Sequence, residues 1–409
     1  MTAFPNWTRW APLRSFGIRD FRLLWVSDAL GSWAEQTEFI VLSWFVLVTT
    51  DSPLLVGVFG ALRLVGTLFS PLHGVIADRY NRALLFAAIR TVMTIITAVV
   101  LTLAISGQLK ISYVLVLMSL AGIMRSGYIV TRQALIADKL SGEVLMNGVA
   151  LNRVAWYGAQ LSGPLAGGIL LSKLGTIWAY LPVVVLNAAA SIVAYTIRPA
   201  IPITSGPATS IWRNLTDAFH YIKNNQVVMA LLLMAFLVNL AAFPLTNGIM
   251  TVFARDVLGT GPTGLATLLA TYAASALVAS FALATLNDVK RPGRFLLVTA
   301  LAWHLGLLLL ATSRSFGASL VILFVSGIAQ SFSMVTMSML LLKVVSPEMR
   351  GRVMGARALA IYSLPLGLLI SGALANFFGA HIALAASSLV GASFTIVIAV
   401  RLRELWRLD

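Results

Sequence analysis

Three carboxylates stand in one otherwise apolar run, "WVSDALGSWAEQTEFIVLSW": Asp28, Glu35 and Glu38. Asp28 and Glu35 are seven residues apart, two turns of a helix, and Glu38 follows about 60° around the axis. On a helix the three acids form one stripe. A charge near the middle of a bilayer costs at least ~2.5–3.5 kcal/mol, so a stripe of them implies work: carrying a proton, holding a charged ligand, or neutralising an arginine. Arginines for the last role exist. Arg63 and Arg125 fall near the middle of two other apolar runs, while Arg90, Arg153 and Arg357 fall nearer the ends. There a long side chain reaches water and serves as an interfacial anchor or loop partner. Arg63 and Arg125 read either as structural partners of Glu35 or Glu38 or as substrate and proton groups. The acids suit a cationic substrate and the arginines an anionic one; the order of residues does not rank the two.

The elements that must position these groups are transmembrane helices. Of 409 residues, 59% are hydrophobic and 11% charged, against roughly 25% charged in soluble domains. Twelve apolar spans of about 20 residues can be marked, the length that crosses a bilayer. With the N-terminus cytoplasmic, the 29 Lys and Arg divide into twenty on the cytoplasmic side, four outside and five within spans. That asymmetry places both ends in the cytoplasm and makes the net charge of +15 a mark of topology rather than of nucleic-acid binding. The first span is too long for a cleaved signal segment.

The longest polar break opens with "RPAIPITSGPATS", a Pro/Gly/Ser/Thr linker, and continues with an amphipathic stretch over 211–222 read as a surface helix. The organisation is therefore a cytoplasmic segment 1–21, a six-helix bundle 22–197, a linker 198–226, a second six-helix bundle 227–400 and a tail 401–409. The halves echo one another: Gly57 and Gly264, Gly148 and Gly355, Gly175 and Gly379 recur at offsets of about 205 residues. A degenerate echo of the stretch around Asp78, "ATLNDVKRPGRFLL", sets Asp288 against Asp78. Two repeats of six spans suit a carrier with a site near the midplane.

Other apparent sites fall away. Without cysteine there is no disulfide, thiolate metal site or cysteine nucleophile. The four histidines, His73, His220, His304 and His381, are too scattered for a metal cluster. "GTGPTG" at 259–264 follows no strand and reads as a turn rather than a dinucleotide loop. No nucleophile, base and oxyanion set can be assembled, so an enzyme is not expected, and no Walker-type loop supplies ATP. Asn239 and Asn247 in the seventh span are candidate cavity-lining hydrogen-bonding groups. His304 in the ninth either titrates in the cavity or is satisfied by a carbonyl.

Two motifs carry a family resemblance. "GVIADRYNR" resembles the loop motif G-x-x-x-D-R-x-G-R of the major facilitator superfamily through Gly74, Asp78, Arg79 and Arg82. Asn81 stands where glycine is usual and, among non-glycine residues, tolerates a left-handed backbone well. "GAQLSGPLAGG" is similar to the antiporter motif of that superfamily through Gly163, Pro164, Gly167 and Gly168, with Ala159 in place of its first glycine. "FRLLWVSDALGSWAEQTEF", "TRQALIADKLSGEVLMNGVALNR" and "VSPEMRGRVMGA" resemble the branch of enterobactin exporters and macrolide efflux proteins.

The resemblance implies an all-α membrane protein of twelve helices in two pseudo-symmetric bundles. It implies a proton-coupled exporter of a small amphipathic molecule, siderophore- or drug-like, in the inner membrane. The proton gradient is its energy source, no cofactor is needed, and a monomer is expected. An uptake carrier on the same fold, or a membrane sensor that moves nothing, are the other readings. The resemblance also pairs Asp78 with the start of the eleventh helix, where Arg350 and Arg352 lie, and lets Glu348 meet Arg79 or Arg82 in return. That arrangement would latch the cytoplasmic side.

Overall fold

The computed structural model describes residues 11–199, 216, 219–285, 290–346 and 348–407. The amphipathic stretch at 211–222 lies largely outside them, as does Asp288. Among the described residues every regular element is helical. Ten helices are long and apolar enough to cross a membrane. One of these, Gly142–Tyr195, is two spans meeting at Gly175. Arg19–Thr50, whose acids make it more polar than the rest, brings the spans to twelve.

In chain order they are α1 (Arg19–Thr50), α2 (Pro53–Arg79), α3 (Arg82–Ile105), α4 (Ile111–Lys139), α5 and α6 (the two parts of Gly142–Tyr195), and α7 (Gln226–Val257). There follow α8 (Pro262–Thr285), α9 (Pro292–Thr312), α10 (Phe316–Val344), α11 (Arg352–Phe378) and α12 (Ala380–Arg401). Helical hairpins of this length satisfy every backbone amide inside the segment, the condition for crossing hydrocarbon.

Local chemistry sets the ends. Asn81 caps α3, its Oδ1 accepting from the amides of Ala83 and Leu84 at 3.1 and 3.2 Å. Its φ of −60° is that of an ordinary cap. The left-handed tolerance expected of Asn81 is therefore not what the position uses; capping is. Asn225 caps α7 in the same way through the Val228 amide at 3.0 Å. A turn at 361–362 interrupts α11, whose two pieces with the preceding turn run Arg350–Ala360 and Ser363–Phe378; Pro365, which has no amide donor, lies just after the break.

The chain forms two compact units, Met1–Thr49 with Leu62–Gly206, and Thr50–Ala61 with Pro207–Asp409. In the first, α3 lies against α4 and the α5–α6 segment, and α2 against α4. Phe21, Leu24, Phe86, Tyr128, Leu135 and Ile136 form an apolar core at one end. In the second, α10 packs on α8 and α9, and α12 on α9 and α11. Its core gathers Val228, Leu231, Met234, Leu296, Met337 and Leu340. The repeat shows most plainly at the turn joining the last two spans of each unit. Gly175 has φ 78° and ψ 179°, and Gly379 has φ 90° and ψ 156°. Both conformations are open to glycine almost alone. The pair at 148 and 355 has diverged: Gly148 is pressed against Leu140 and Phe21, while Gly355 faces open space.

Candidate functional site: a charged stripe on the first helix

The polar residues of α1 meet a different partner at each level. Asp28 is fully buried and accepts from Arg132 Nη1 at 2.9 and 3.1 Å. Arg90 Nη2 lies 3.8 Å from the same carboxylate and donates to the Ser27 carbonyl at 3.2 Å. Arg90 is 2% exposed, with its guanidinium 4.0 Å from the Tyr128 ring centroid. It is not an interfacial anchor, as its position along the sequence suggests, but an interior cation wedged between helices. Gly31 makes the wedge fit: a Cβ there would come within 1.9 Å of Arg90 Nη1. Arg153 is exposed, and Arg357, half-buried in the second unit, donates to Ser338 Oγ at 2.8 Å.

Two turns further along α1, Glu35 holds both mid-span arginines through one oxygen. Its Oε1 lies 2.6 Å from Arg125 Nη1 and 3.2 Å from Arg63 Nη2. The Arg63 guanidinium also lies 4.8 Å from the Phe39 ring centroid. Glu38 is separate from this knot. It is 6% exposed and accepts from the Tyr180 hydroxyl of α6 at 2.5 Å. Among the described residues it has no salt bridge, while Arg63, Glu35 and Arg125 are the charges whose fields reach it. The three acids thus share a stripe but not a role: one is neutralised in the interior, one bridges two arginines, one bonds only a hydroxyl.

Asp78 and Arg82 form an ion pair at 2.8 Å across the α2–α3 turn. Arg82 also binds Asp138 of α4 at 2.6 Å and the Ala77 carbonyl at 3.1 Å. Arg82 is buried, whereas Asp78 and Arg79 are exposed and Gly74 has open space beside it. A helix C-terminus disfavours a carboxylate, and Arg82, the first residue of the next helix, supplies the compensating charge. Asp138 escaped the reading of the sequence, although "IADK" at 136–139 repeats "IADR" at 76–79 and both acids bind the same arginine. Arg132, Tyr128 and Tyr180 were likewise missed, since nothing in their own neighbourhoods marks them. In the second unit Arg350 donates to the Val345 carbonyl at 3.3 Å, Arg352 lies 3.6 Å from the Met349 sulfur, and Glu348 is exposed.

The glycines of α5 seat it on α1. A Cβ on Gly163 would come 2.7 Å from Gln36 Cβ, and one on Gly167 would come 2.7 Å from Ile40 Cγ2. The Thr37 hydroxyl donates to the Gly163 carbonyl at 3.3 Å. Pro164 and Gly168 are buried in the same contact region. This surface holds the helix that carries Glu35 and Glu38 in place, by backbone approach that only small residues permit. Of the cavity-lining candidates, Asn239 is buried and donates to the Ala235 carbonyl at 2.8 Å, and Asn247 donates to the Phe243 carbonyl at 2.9 Å. His304 is fully buried and stacked on Trp303, with neither ring nitrogen bonded.

Twelve apolar helices in two six-span units, one unit holding ion pairs at mid-span, define a multi-pass membrane carrier. The chain belongs to the Major Facilitator Superfamily, whose sequence model matches residues 24–366. It is accordingly a secondary transporter and not an enzyme, working by alternating access. A comparison with curated proteins finds no match. Among solved structures it is similar to the nucleoside transporter NupG, at 15% identity and a TM-score of 0.74, over 96% of this chain and 100% of that one. It is also similar to a bacterial homologue of the human lysosomal transporter Spinster, at 17% identity and a TM-score of 0.68, over 95% of each chain. A third is the POT family transporter PepTSo, at 12% identity and a TM-score of 0.72, over 96% of this chain and 99% of that one. At such identities the likeness is one of fold.

Proposed function

We propose that this transporter exports a small amphipathic molecule, siderophore- or drug-like, across the inner membrane, with both termini in the cytoplasm, in exchange for protons. The observation that carries the reading is the division of labour along α1. Glu38 is an acid bonded to one hydroxyl, close to a bridged Arg63–Glu35–Arg125 group whose charges alter its field. A buried carboxylate without a salt-bridging partner readily holds a proton, and arginines nearby lower the cost of releasing it, whereas a carboxylate bridged by arginines resists protonation. Glu38 is therefore the proton carrier and the Arg63–Glu35–Arg125 group the element that senses the substrate. The direction of transport rests on the antiporter-like sequence of α5.

The test is transport in sealed inverted vesicles under an imposed pH gradient. Glu38→Gln preserves shape and the bond to Tyr180, so the protein should fold and bind substrate but lose gradient-driven accumulation. Full gradient-driven transport by this variant would remove Glu38 from the coupling. A susceptibility and transport screen of deleted and overexpressing strains, across cationic and anionic compounds, identifies the cargo. Movement into the cytoplasm instead would reverse the direction.

A further inference from the structure

We infer that the transported molecule is an anion: an oxyanionic group, carboxylate or sulfonate in kind, bound by Arg63 and Arg125 and attached to an apolar body. The inference rests on the carrier reading and adds the charge of its cargo. It follows from which charges neutralise which. In the interior of the first unit, four arginines (Arg63, Arg90, Arg125 and Arg132) face the three α1 carboxylates. Asp28 is taken by Arg90 and Arg132 and is sealed from solvent. Glu38 is enclosed behind Tyr180. That leaves Glu35 alone to serve two guanidinium groups, and it does so through a single oxygen.

Each guanidinium carries five N–H donors in a planar fork suited to a two-oxygen acceptor. Arg90 Nε and Arg132 Nε are buried without acceptors, but no donor of Arg63 or Arg125 is in that state. None of their unused donors is sealed off by protein, and the Arg125 side chain is 22% exposed, Glu35 14% and Arg63 10%. A ligand approaching this group therefore meets open donors and one positive charge in excess. A cationic ligand finds no free carboxylate there: two are enclosed and the third lies between arginines. In the second unit the described acids, Asp51, Asp256, Glu348 and Glu404, lie at helix ends, so none offsets the excess at mid-span. An anion also gains from leaving the cell: an inside-negative potential favours its exit by about fiftyfold per 100 mV and unit charge.

The experiment compares one aromatic skeleton with and without a sulfonate, and adds a cation of another skeleton. Inverted vesicles containing the full chain are offered anilinonaphthalene sulfonate, the matching phenylnaphthylamine without the sulfonate, and ethidium as a cation. Accumulation is measured against vesicles lacking the protein. The sulfonate should accumulate and the other two should not. Arg125→Gln should raise the KM for the sulfonate about tenfold or more, the worth of one charge-assisted hydrogen bond. That variant leaves one arginine for one carboxylate, Arg63 for Glu35, so it removes the excess charge without stranding an acid. Arg125→Lys, which keeps the charge and loses the fork, should retain the preference for the anion with a smaller rise in KM. Thermal unfolding followed by tryptophan emission checks that each variant is folded. Accumulation of ethidium or of the neutral amine, unaffected by Arg125→Gln, would overturn the anion assignment and leave the carrier reading standing. Failure of all three probes both to accumulate and to stabilise the protein would overturn the reading of an amphipathic cargo, and the assignment with it.

Discussion

The two units share a plan of six spans, and a glycine in the same rare conformation joins the last two spans of each. Their interiors nevertheless differ in kind. The first unit buries Asp28, Glu38, Arg63 and Arg90. The second buries neutral groups: Asn239, His304 and a series of hydroxyls such as Ser275, Thr299, Ser326, Ser371 and Thr395. The difference lies in where each group finds its partner. Thr395 donates to the Gly391 carbonyl at 2.8 Å and Ser326 to the Ile322 carbonyl at 2.7 Å, each one turn back on its own helix. Most of these hydroxyls are satisfied locally, and only a few, such as Ser331 to the Ala276 carbonyl at 3.1 Å and Ser363 to the Phe236 carbonyl at 2.8 Å, reach another helix. A carboxylate has no donor on its own helix turn, so Asp28 reaches to α3 and α4, and Glu35 to α2 and α4. Ion pairs therefore cross-link the helices of the first unit, while the second relies on apolar packing and a few neutral hydrogen bonds.

The largest effect expected from breaking this asymmetry is at Asp28. Asp28→Asn keeps the shape but leaves Arg90 and Arg132 without a counter-charge in the interior. Removing one partner of a buried pair costs about 3–5 kcal/mol, so most of the protein should be lost to aggregation or degradation. Fluorescence-detected size exclusion of the solubilised membranes reads the yield. A monodisperse peak at normal yield would mean that the cross-link is dispensable.

An intermediate and equal effect is expected at the shared turn. Gly175→Ala and Gly379→Ala each force a side chain into backbone space that non-glycine residues avoid, at about 1–3 kcal/mol. Thermal melts of the two variants should shift downward by similar amounts. A shift in one only would mean that the turn has relaxed in the other unit and that the repeat there is formal.

The smallest effect, and opposite in sign, is expected at His304. Neither nitrogen is bonded, and the ring lies flat on Trp303 at 5.8 Å between centroids. His304→Phe keeps a ring of similar size and removes two polar atoms without partners, which cost about 1–3 kcal/mol when buried. The melting temperature should hold or rise. A clear fall would show that the imidazole has a partner it needs, and would weaken the contrast between a charged and a neutral unit.

Much of the architecture was open to a reader of the sequence because a bilayer imposes a one-dimensional rule. Apolar runs of about 20 residues must span, and their spacing and flanking charges then give count and repeat. The α1 stripe was legible for the same reason, since a helix converts spacing of seven and three into a shared face. Gly175 and Gly379 could be matched by offset, and their backbone angles agree. Pairing was not legible. Arg63 and Arg125 stood as partners for either Glu35 or Glu38, and only helix packing gave both to Glu35. Arg90 looked like an anchor because depth along a helix can be counted, but the direction its side chain takes is decided by a neighbour, here the missing Cβ of Gly31. Asp138 and Tyr180 lie 56 and 142 residues from the groups they bind. The sequence by itself determined that this is a twelve-span membrane protein with acids on its first helix. Tertiary structure decided which of those acids is neutralised, which is shared and which is left to a hydroxyl. Spans are set by transfer from water to lipid, which each segment undergoes alone, whereas an ion pair exists only where two segments meet.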